Sequence, residues 1–433
     1  MSLQAFSDTI LFYLPIGIVG LWRWGLFCLK SLFAIFYRPI SGRFHGTVSI
    51  VTPVYNEPVD HFKKSLYSWM INGPYEVIAV IDYTNLDCIY AFEAVANEFP
   101  GVRCRLIVTQ TPGKRPALKD GIEASSGEIV ALVDCDTLWA PDLLEEATAP
   151  FVEPEIVGVA TRQEALPPVN VTGRLQNMFW SYRYNTEMRF LSKAGDAVTC
   201  LSGRTALYRR KVLEPLLPGL VAEHFMGELV ISGDDKYLTE KVQELGGKTY
   251  YQASARAYTF TPRNILTLVK QQTRWTRNSW RSDIRSMCNG WVWDRPALAL
   301  HLVDRSVAPF TLLLGPIYFG ISIALGDYLV ALVLVAWWIT SRSVKLLPHL
   351  IRHPADFLVM PAYVIMTYIN AVIRIHSLVT LNRQGWITRW SKDRLAQQNN
   401  NAMIFQYVPY GVTAGIVAGL VVGVFILKGV VIH

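Results

Sequence analysis

Apolar residues in this chain gather at its two ends, and that placement constrains the fold more than any other feature. The excess lies at residues 8–37 and again after about residue 297, whereas residues 43–290 have the mixed composition of a water-facing domain. A bilayer core is crossed by roughly 20 apolar residues in a helix, because each backbone polar group must find its partner within the segment. At 433 residues, 51% of them hydrophobic and only 17% charged, the chain is too apolar for an ordinary soluble protein and too long for one domain. Membrane helices around a soluble centre satisfy both facts.

The first apolar segment, Ile10–Leu26, has no Lys or Arg before it, while Arg23, Lys30, Arg38 and Arg43 follow. The positive-inside rule then puts the N-terminus outside and the central domain in the cytosol, with Arg23 reaching the headgroups. No cleavable signal peptide is evident. Val307–Leu325 and Tyr328–Thr340 read as a hairpin turning at Gly326-Asp327 and returning to basic Arg342, Lys345 and Arg352. Phe357–Ile373 is apolar enough to span, but Arg374, Arg383, Arg389, Lys392 and Arg394 would then lie outside. We expect it to be an interfacial or re-entrant helix bent at Pro361. Val408–Leu427 is expected to span.

A net charge of +7 fits an anionic membrane surface and a diphosphate substrate, and no nucleic-acid motif accompanies it. Cys28, Cys88, Cys104, Cys135, Cys200 and Cys288 form no C-x-x-C pair, so they read as reduced cytosolic thiols rather than disulfides or a zinc site.

Within the centre, Val48–Pro53, Tyr75–Asp82, Arg103–Thr109 and Glu128–Asp134 are short Val- and Ile-rich runs separated by helix-length segments. This alternation predicts a parallel α/β sheet, in which ligands bind at the carboxyl ends of strands. Four signatures follow in order. They are Asp82 closing the second run, Asp134-Cys135-Asp136 closing the fourth, Gly233-Asp234-Asp235, and Gln271-Gln272-Thr273-Arg274-Trp275 ahead of the apolar C-terminal third.

The opening run Val48–Glu57 resembles that of the family 2 glycosyltransferases, which have the GT-A fold. Gly113-Lys114-Arg115, Val133–Thr137, Cys200–Gly203, Phe225–Gly227, Gly233–Thr239 and Gln271–Trp275 resemble the processive, membrane-embedded hyaluronan synthases. Asn382–Arg389 is similar to their W-G-T-R gating element, with Ile387 where glycine is usual. Thr161-Arg162-Gln163 and Gly203-Arg204-Thr205 are closer to the type 3 capsular polysaccharide synthases. The resemblance implies a GT-A (Rossmann-like) cytosolic domain plus an α-helical transmembrane region with interfacial helices. The expected divisions are an N-terminal transmembrane helix at 1–42, the glycosyltransferase domain at 43–264, amphipathic interface helices at 265–306, and channel-forming helices at 307–433 with a gating loop at 382–390.

It also implies roles. Asp136 would hold Mg²⁺ or Mn²⁺, hard cations that also bind phosphate oxygens, with Asp134 beside it contacting the cation or the ribose. Thr52, Tyr55, Glu57 and Asp82 would contact the nucleoside, and Lys114, Arg115, Gln271 and Arg274 the diphosphate. Asp235 is the expected base, with Asp234 next in line, since adjacent carboxylates raise one another's proton affinity. Cys200, Ser202 and Gly203 would shape the acceptor pocket, Trp275 would stack on an acceptor sugar, and Trp386, Thr388 and Arg389 would close over the nucleotide. The expected activity is inverting hexosyl transfer from UDP-GlcNAc and UDP-GlcA onto a growing polysaccharide, by a monomer integral to the plasma (inner) membrane. A capsule-type synthase using UDP-Glc and UDP-GlcA, or single transfer to a lipid, are the alternatives.

Overall fold

The apolar runs of the centre become strands in the computed structural model, which describes residues 3–167, 170–383 and 403–432. Helix α1 (Leu3–Phe36) leads into β1 (Val48–Val54), β2 (Glu76–Asp82), β3 (Arg103–Thr109) and β4 (Ile129–Leu132). Between them run α2 (Val59–Met70), α3 (Leu86–Glu98) and α4 (Lys114–Ala124). These strands pair in parallel in the order β3-β2-β1-β4. Strands β1 and β2 are buried along their whole length, as expected of a parallel sheet covered on both faces. Val51, Ile78 and Val80 pack towards Leu118 and Ile122 of α4, while Ile50, Val77 and Ile81 pack towards Phe62, Leu66 and Trp69 of α2. Each such burial contributes about 1.5–3 kcal/mol. At the sheet's edge, β3 turns Arg103 and Arg105 outward, which deters pairing with another chain.

The sheet is mixed rather than wholly parallel. It is completed by β5 (Thr137–Trp139), α5 (Leu143–Thr148), β6 (Ile156–Ala165), α6 (Val171–Tyr182), α7 (Met188–Ala194), β7 (Ala206–Arg209), α8 (Arg210–Leu213) and α9 (Leu217–Ala222). A small β8 (His224–Phe225) and β9 (Glu228–Leu229) hairpin, α10 (Asp234–Glu244) and β10 (Lys248–Thr259) follow. The order is β3-β2-β1-β4-β7-β6-β10-β5, with β7 antiparallel to both β4 and β6, and β5 antiparallel to β10. Reversing β7 brings its leading loop to the carboxyl end of β4, where the Asp134 N–H donates to the Gly203 carbonyl at 2.8 Å. A parallel β7 would carry that loop to the far side of the sheet.

Helix α11 (Ile265–Cys288) then crosses to α12 (Pro296–Ala324), α13 (Tyr328–Lys345), α14 (Leu347–Arg352), α15 (Met360–Leu378) and α16 (Met403–Ile432). Among the described residues, five segments are long and apolar enough to cross a membrane: Ile16–Phe36, Pro296–Ala324, Tyr328–Lys345, Pro354–Leu378 and Pro409–Ile426. The first continues ten residues beyond the expected Leu26. Arg23 therefore donates to Thr311 at 3.3 Å instead of reaching headgroups, and Lys30 pairs with Asp304 at 2.7 Å. Both contacts join α1 to α12, and such internal pairing is what charges in an apolar bundle require. The α12–α13 hairpin turns at Gly326 as expected. Pro361 lies in the first turn of α15 and does not bend it, because a proline there removes no helical hydrogen bond.

Candidate active site

The carboxyl ends of β1, β2 and β4, the loop before β7, the start of α10 and one face of α11 converge on a cavity of about 660 Å³. Tyr55, Glu57, Asp82, Lys114, Asp134, Asp136, Cys200, Ser202, Gly203, Asp234, Asp235, Gln271, Arg274 and Trp275 all line it. Residues separated by up to about 220 positions in the chain thus share one chamber, as the sequence predicts.

At its centre is an ion-pair cluster. Lys114, the first residue of α4, reaches Asp134 Oδ1 at 2.7 Å and Asp234 Oδ2 at 3.0 Å. Gly203 makes room for it, since a side chain at that position would come within 2.9 Å of Lys114 Nζ. Gly233 has φ +79° and a Cβ there would meet Asn278 at 2.8 Å, so only glycine fits both the conformation and the space. This turn delivers Asp234 and Asp235 into the first turn of α10, where the helix dipole favours carboxylates.

The electrostatics divide the acids. Burial, reinforced by Asp136 and Asp134, pushes Glu57 up to about 7. Burial and then Asp134 push Asp136 up to about 6. Burial acts on Asp134 in the same direction, but the Lys114 ammonium overcomes it and holds that carboxyl below the usual range. Lys114 is in turn held above its ordinary value, since Asp134 and Asp234 outweigh the burial that lowers it. Asp134 is therefore held as a carboxylate by Lys114, while burial and neighbouring carboxylates raise Glu57 and Asp136, a donor set that a divalent cation would relieve. Among the described residues no group of three or more His, Cys, Asp or Glu converges as a metal cage. The carboxylates suit a hard cation that takes its remaining ligands from phosphate and water.

Asp235 is placed differently from its neighbour. Asp234 is buried and taken by Lys114, whereas Asp235 accepts from the Cys200 thiol at 3.4 Å and from the Lys236 N–H at 2.8 Å. Arg183, Lys236 and Arg305 also line the cavity, the last belonging to α12. The Arg204 guanidinium lies 4.7 Å from the Trp180 ring and 4.9 Å from the Trp275 ring, and donates to Gln163 at 2.8 Å. Arg183, Arg204 and Arg305 were not among the expected site residues. The two-tryptophan clasp on Arg204 has no sequence signal, because its partners are 24 residues before it and 71 after it.

Two expectations need correction. Arg115 does not face the cavity: it is 3% exposed and binds the Leu220 and Ser232 carbonyls at 2.9 and 3.0 Å and Glu223 at 2.6 Å. One residue further along a helix rotates the side chain by about 100°, so Lys114 points in and Arg115 staples the segment leading to Gly233. Thr52 is fully buried within β1 and lies outside the lining, because strand alternation directs it beneath the floor. Gln271, Arg274 and Trp275 lie well inside α11. That helix begins at Ile265, capped by Asn264, which accepts from the Thr267 N–H at 2.9 Å. Trp386, Thr388 and Arg389 of the expected gate lie outside the described residues.

Residues 48–278 match the family model described as "Glycosyltransferase like family 2". The chain is 28% identical over 404 residues to the hyaluronan synthase of Streptococcus pyogenes, covering 89% of this chain and 95% of that one. It is 27% identical to a type 2 glycosyltransferase of Pyricularia oryzae, covering 80% of this chain and 74% of the other. Its fold is similar to that of a mannosyltransferase from Pyrobaculum calidifontis solved with GDP-Man and Mn²⁺, with a TM-score of 0.58 and 19% identity over 86% of this chain and 99% of that one. The matched family residues include all of the chamber's lining except Ser279 and Arg305, and on that ground the chain belongs to glycosyltransferase family 2 and is a glycosyltransferase of GT-A fold.

Proposed function

We propose that this glycosyltransferase is processive. In this reading it builds a β-linked polysaccharide from UDP-GlcNAc and UDP-GlcA on the cytosolic face and passes it outward between its own apolar helices. The observation carrying this reading is the chamber's composition. Tyr55, Asp82 and Lys114, assigned here to the nucleotide, line the chamber together with Arg305 of α12, a helix of membrane-spanning length. The chamber is thus bounded in part by a helix of the apolar bundle, the route this reading gives the product. The likeness to hyaluronan synthase over 89% of the chain supports the same reading.

In this mechanism Asp235 takes the acceptor hydroxyl's proton. Asp234 is committed to Lys114, so the lone position beside Cys200 is the better acceptor. Lys114 and Arg274 bind the diphosphate, and Tyr55, Glu57 and Asp82 bind the nucleoside. Asp136 and Asp134 would hold a bound Mn²⁺ or Mg²⁺, which supplies charge neutralisation for the departing diphosphate. Trp275 gives the acceptor sugar an apolar face, fixed by Arg204. Trp386, Thr388 and Arg389 are assigned to closure over the nucleotide. Displacement with a single base inverts the anomeric centre.

The test is to incubate purified protein with pairs of UDP-sugars and Mn²⁺ and digest the product with hyaluronidase. A long product from UDP-GlcNAc plus UDP-GlcA that hyaluronidase degrades is expected. A hyaluronidase-resistant polymer from UDP-Glc plus UDP-GlcA would reassign the sugars, and single sugars on lipid would overturn processivity.

A further inference from the structure

A second cavity of about 540 Å³ shares no lining residue with the catalytic chamber. Side chains alternate along a strand. On β6, Gln163 faces the catalytic side, where it accepts from Arg204, so Arg162 and Glu164 face the opposite side and enter the second cavity.

This cavity is strongly cationic. Arg162, Arg189, Arg256, Arg352 and His353 line it, and the one lining carboxylate among the described residues, Glu164, is held by Arg162 at 2.7 Å. Arg189 Nε is buried and makes no hydrogen bond among the described residues. A buried donor left in that state asks for an explanation. Burial depresses the Arg189 guanidinium, Tyr251 offsets part of this, and Arg162 and Arg352 push it down further. Four guanidinium groups thus line a cavity whose one lining carboxylate among the described residues is Glu164, and Arg189 lies 5.7 Å from the Tyr37 ring.

The location narrows the ligand. Arg352 and His353 stand between α13 and the segment Pro354–Leu378, both of spanning length, and the lining residue Pro39 lies three positions after α1. The cavity thus opens where apolar helices end, at the level of lipid headgroups. Guanidinium forks match the tetrahedral oxygens of phosphate, and anionic headgroups concentrate at that depth.

We propose that this cavity binds a phosphate-bearing anion at the membrane surface, with Arg189 and Arg352 as its principal contacts. The site is independent of the sugar chemistry assigned above. Its two sources are a phospholipid headgroup and free phosphate, which share the chemistry and differ in the tail.

The full chain in phosphatidylcholine nanodiscs, doped with phosphatidylglycerol, tests the lipid source by native mass spectrometry. Inorganic phosphate, titrated calorimetrically against the chain in undoped nanodiscs, tests the free anion. Either probe should bind saturably at about one per chain. Arg189→Gln and Arg352→Gln should each weaken binding about tenfold, the loss of one charge-assisted contact, and Arg352→Lys should lose less. Arg352 is exposed, so its variant stands if Arg189→Gln fails to fold. Saturable binding of phosphatidylglycerol alone makes the ligand a headgroup, and equal binding of phosphate makes it the free anion. Absence of binding by both probes, or variants that bind like the unaltered chain, overturns the proposal.

Discussion

Replacing Lys114 with methionine keeps the length and apolar stem of the side chain and removes its charge. Lys114 pairs with Asp134 at 2.7 Å and Asp234 at 3.0 Å, and its side chain is only 14% exposed. Breaking a buried ion pair by removing one partner costs about 3–5 kcal/mol, since the remaining charge stays buried. Asp134 is 32% exposed to the cavity, so water recovers part of the loss and about 3 kcal/mol is expected. For a domain of roughly this size that lowers Tm by about 6–12 °C. Thermal unfolding of the purified chain, followed by tryptophan fluorescence at one scan rate, measures it. Adding Asp134→Asn to the Lys114→Met chain removes one stranded carboxylate and should recover at least about 1 kcal/mol, the coupling expected of contacting residues. A Lys114→Met melt within about 1 °C of the unaltered chain, or strict additivity of the two changes, would refute the central ion pair.

Asp136→Asn should abolish transfer, with full activity in EDTA counting against its assigned role as cation ligand; several kcal/mol of transition-state stabilisation are at stake. Asp235→Asn should bind UDP about as well as the unaltered chain while turnover stops, and a variant that still polymerises would move the base to Asp234. Gly233→Ala should cost about 1–3 kcal/mol and depress kcat, because φ +79° and the 2.8 Å approach to Asn278 exclude a Cβ; an unchanged melt and rate would show that the turn tolerates it. Trp386→Ala should weaken UDP-sugar affinity or turnover in detergent, where a tryptophan serving only as a bilayer anchor would leave kinetics unchanged.

Much of the fold was legible because it is local. The four apolar runs that became β1 to β4 need only alternation with helix-length segments to be seen, and the membrane helices need only length and hydropathy. Strands β6 and β10 escaped because tertiary packing makes them. Residues 156–165 hold Thr161, Arg162, Gln163 and Glu164 in the interior of the strand, and polar side chains serving two cavities erase the apolar signal that marks a buried strand. The candidate site residues were visible as types at strand ends, and most of them line the chamber.

Direction was the part the chain could not disclose by itself. Lys114 and Arg115 are adjacent cations of equal plausibility in one dimension, yet helical rotation places one among the acids and the other under Gly233. Asp234 and Asp235 are identical in sequence terms until Lys114, at the start of α4, claims the first. The reversal of β7, the clasp of Trp180 and Trp275 on Arg204, and the cationic cavity behind β6 are likewise products of assembly. Residue type and spacing determined which chemistry the chain carries. Packing decided which copy of each group faces the cavity, because charge and hydrogen-bond partners are settled by distances of a few ångströms between segments far apart in the chain.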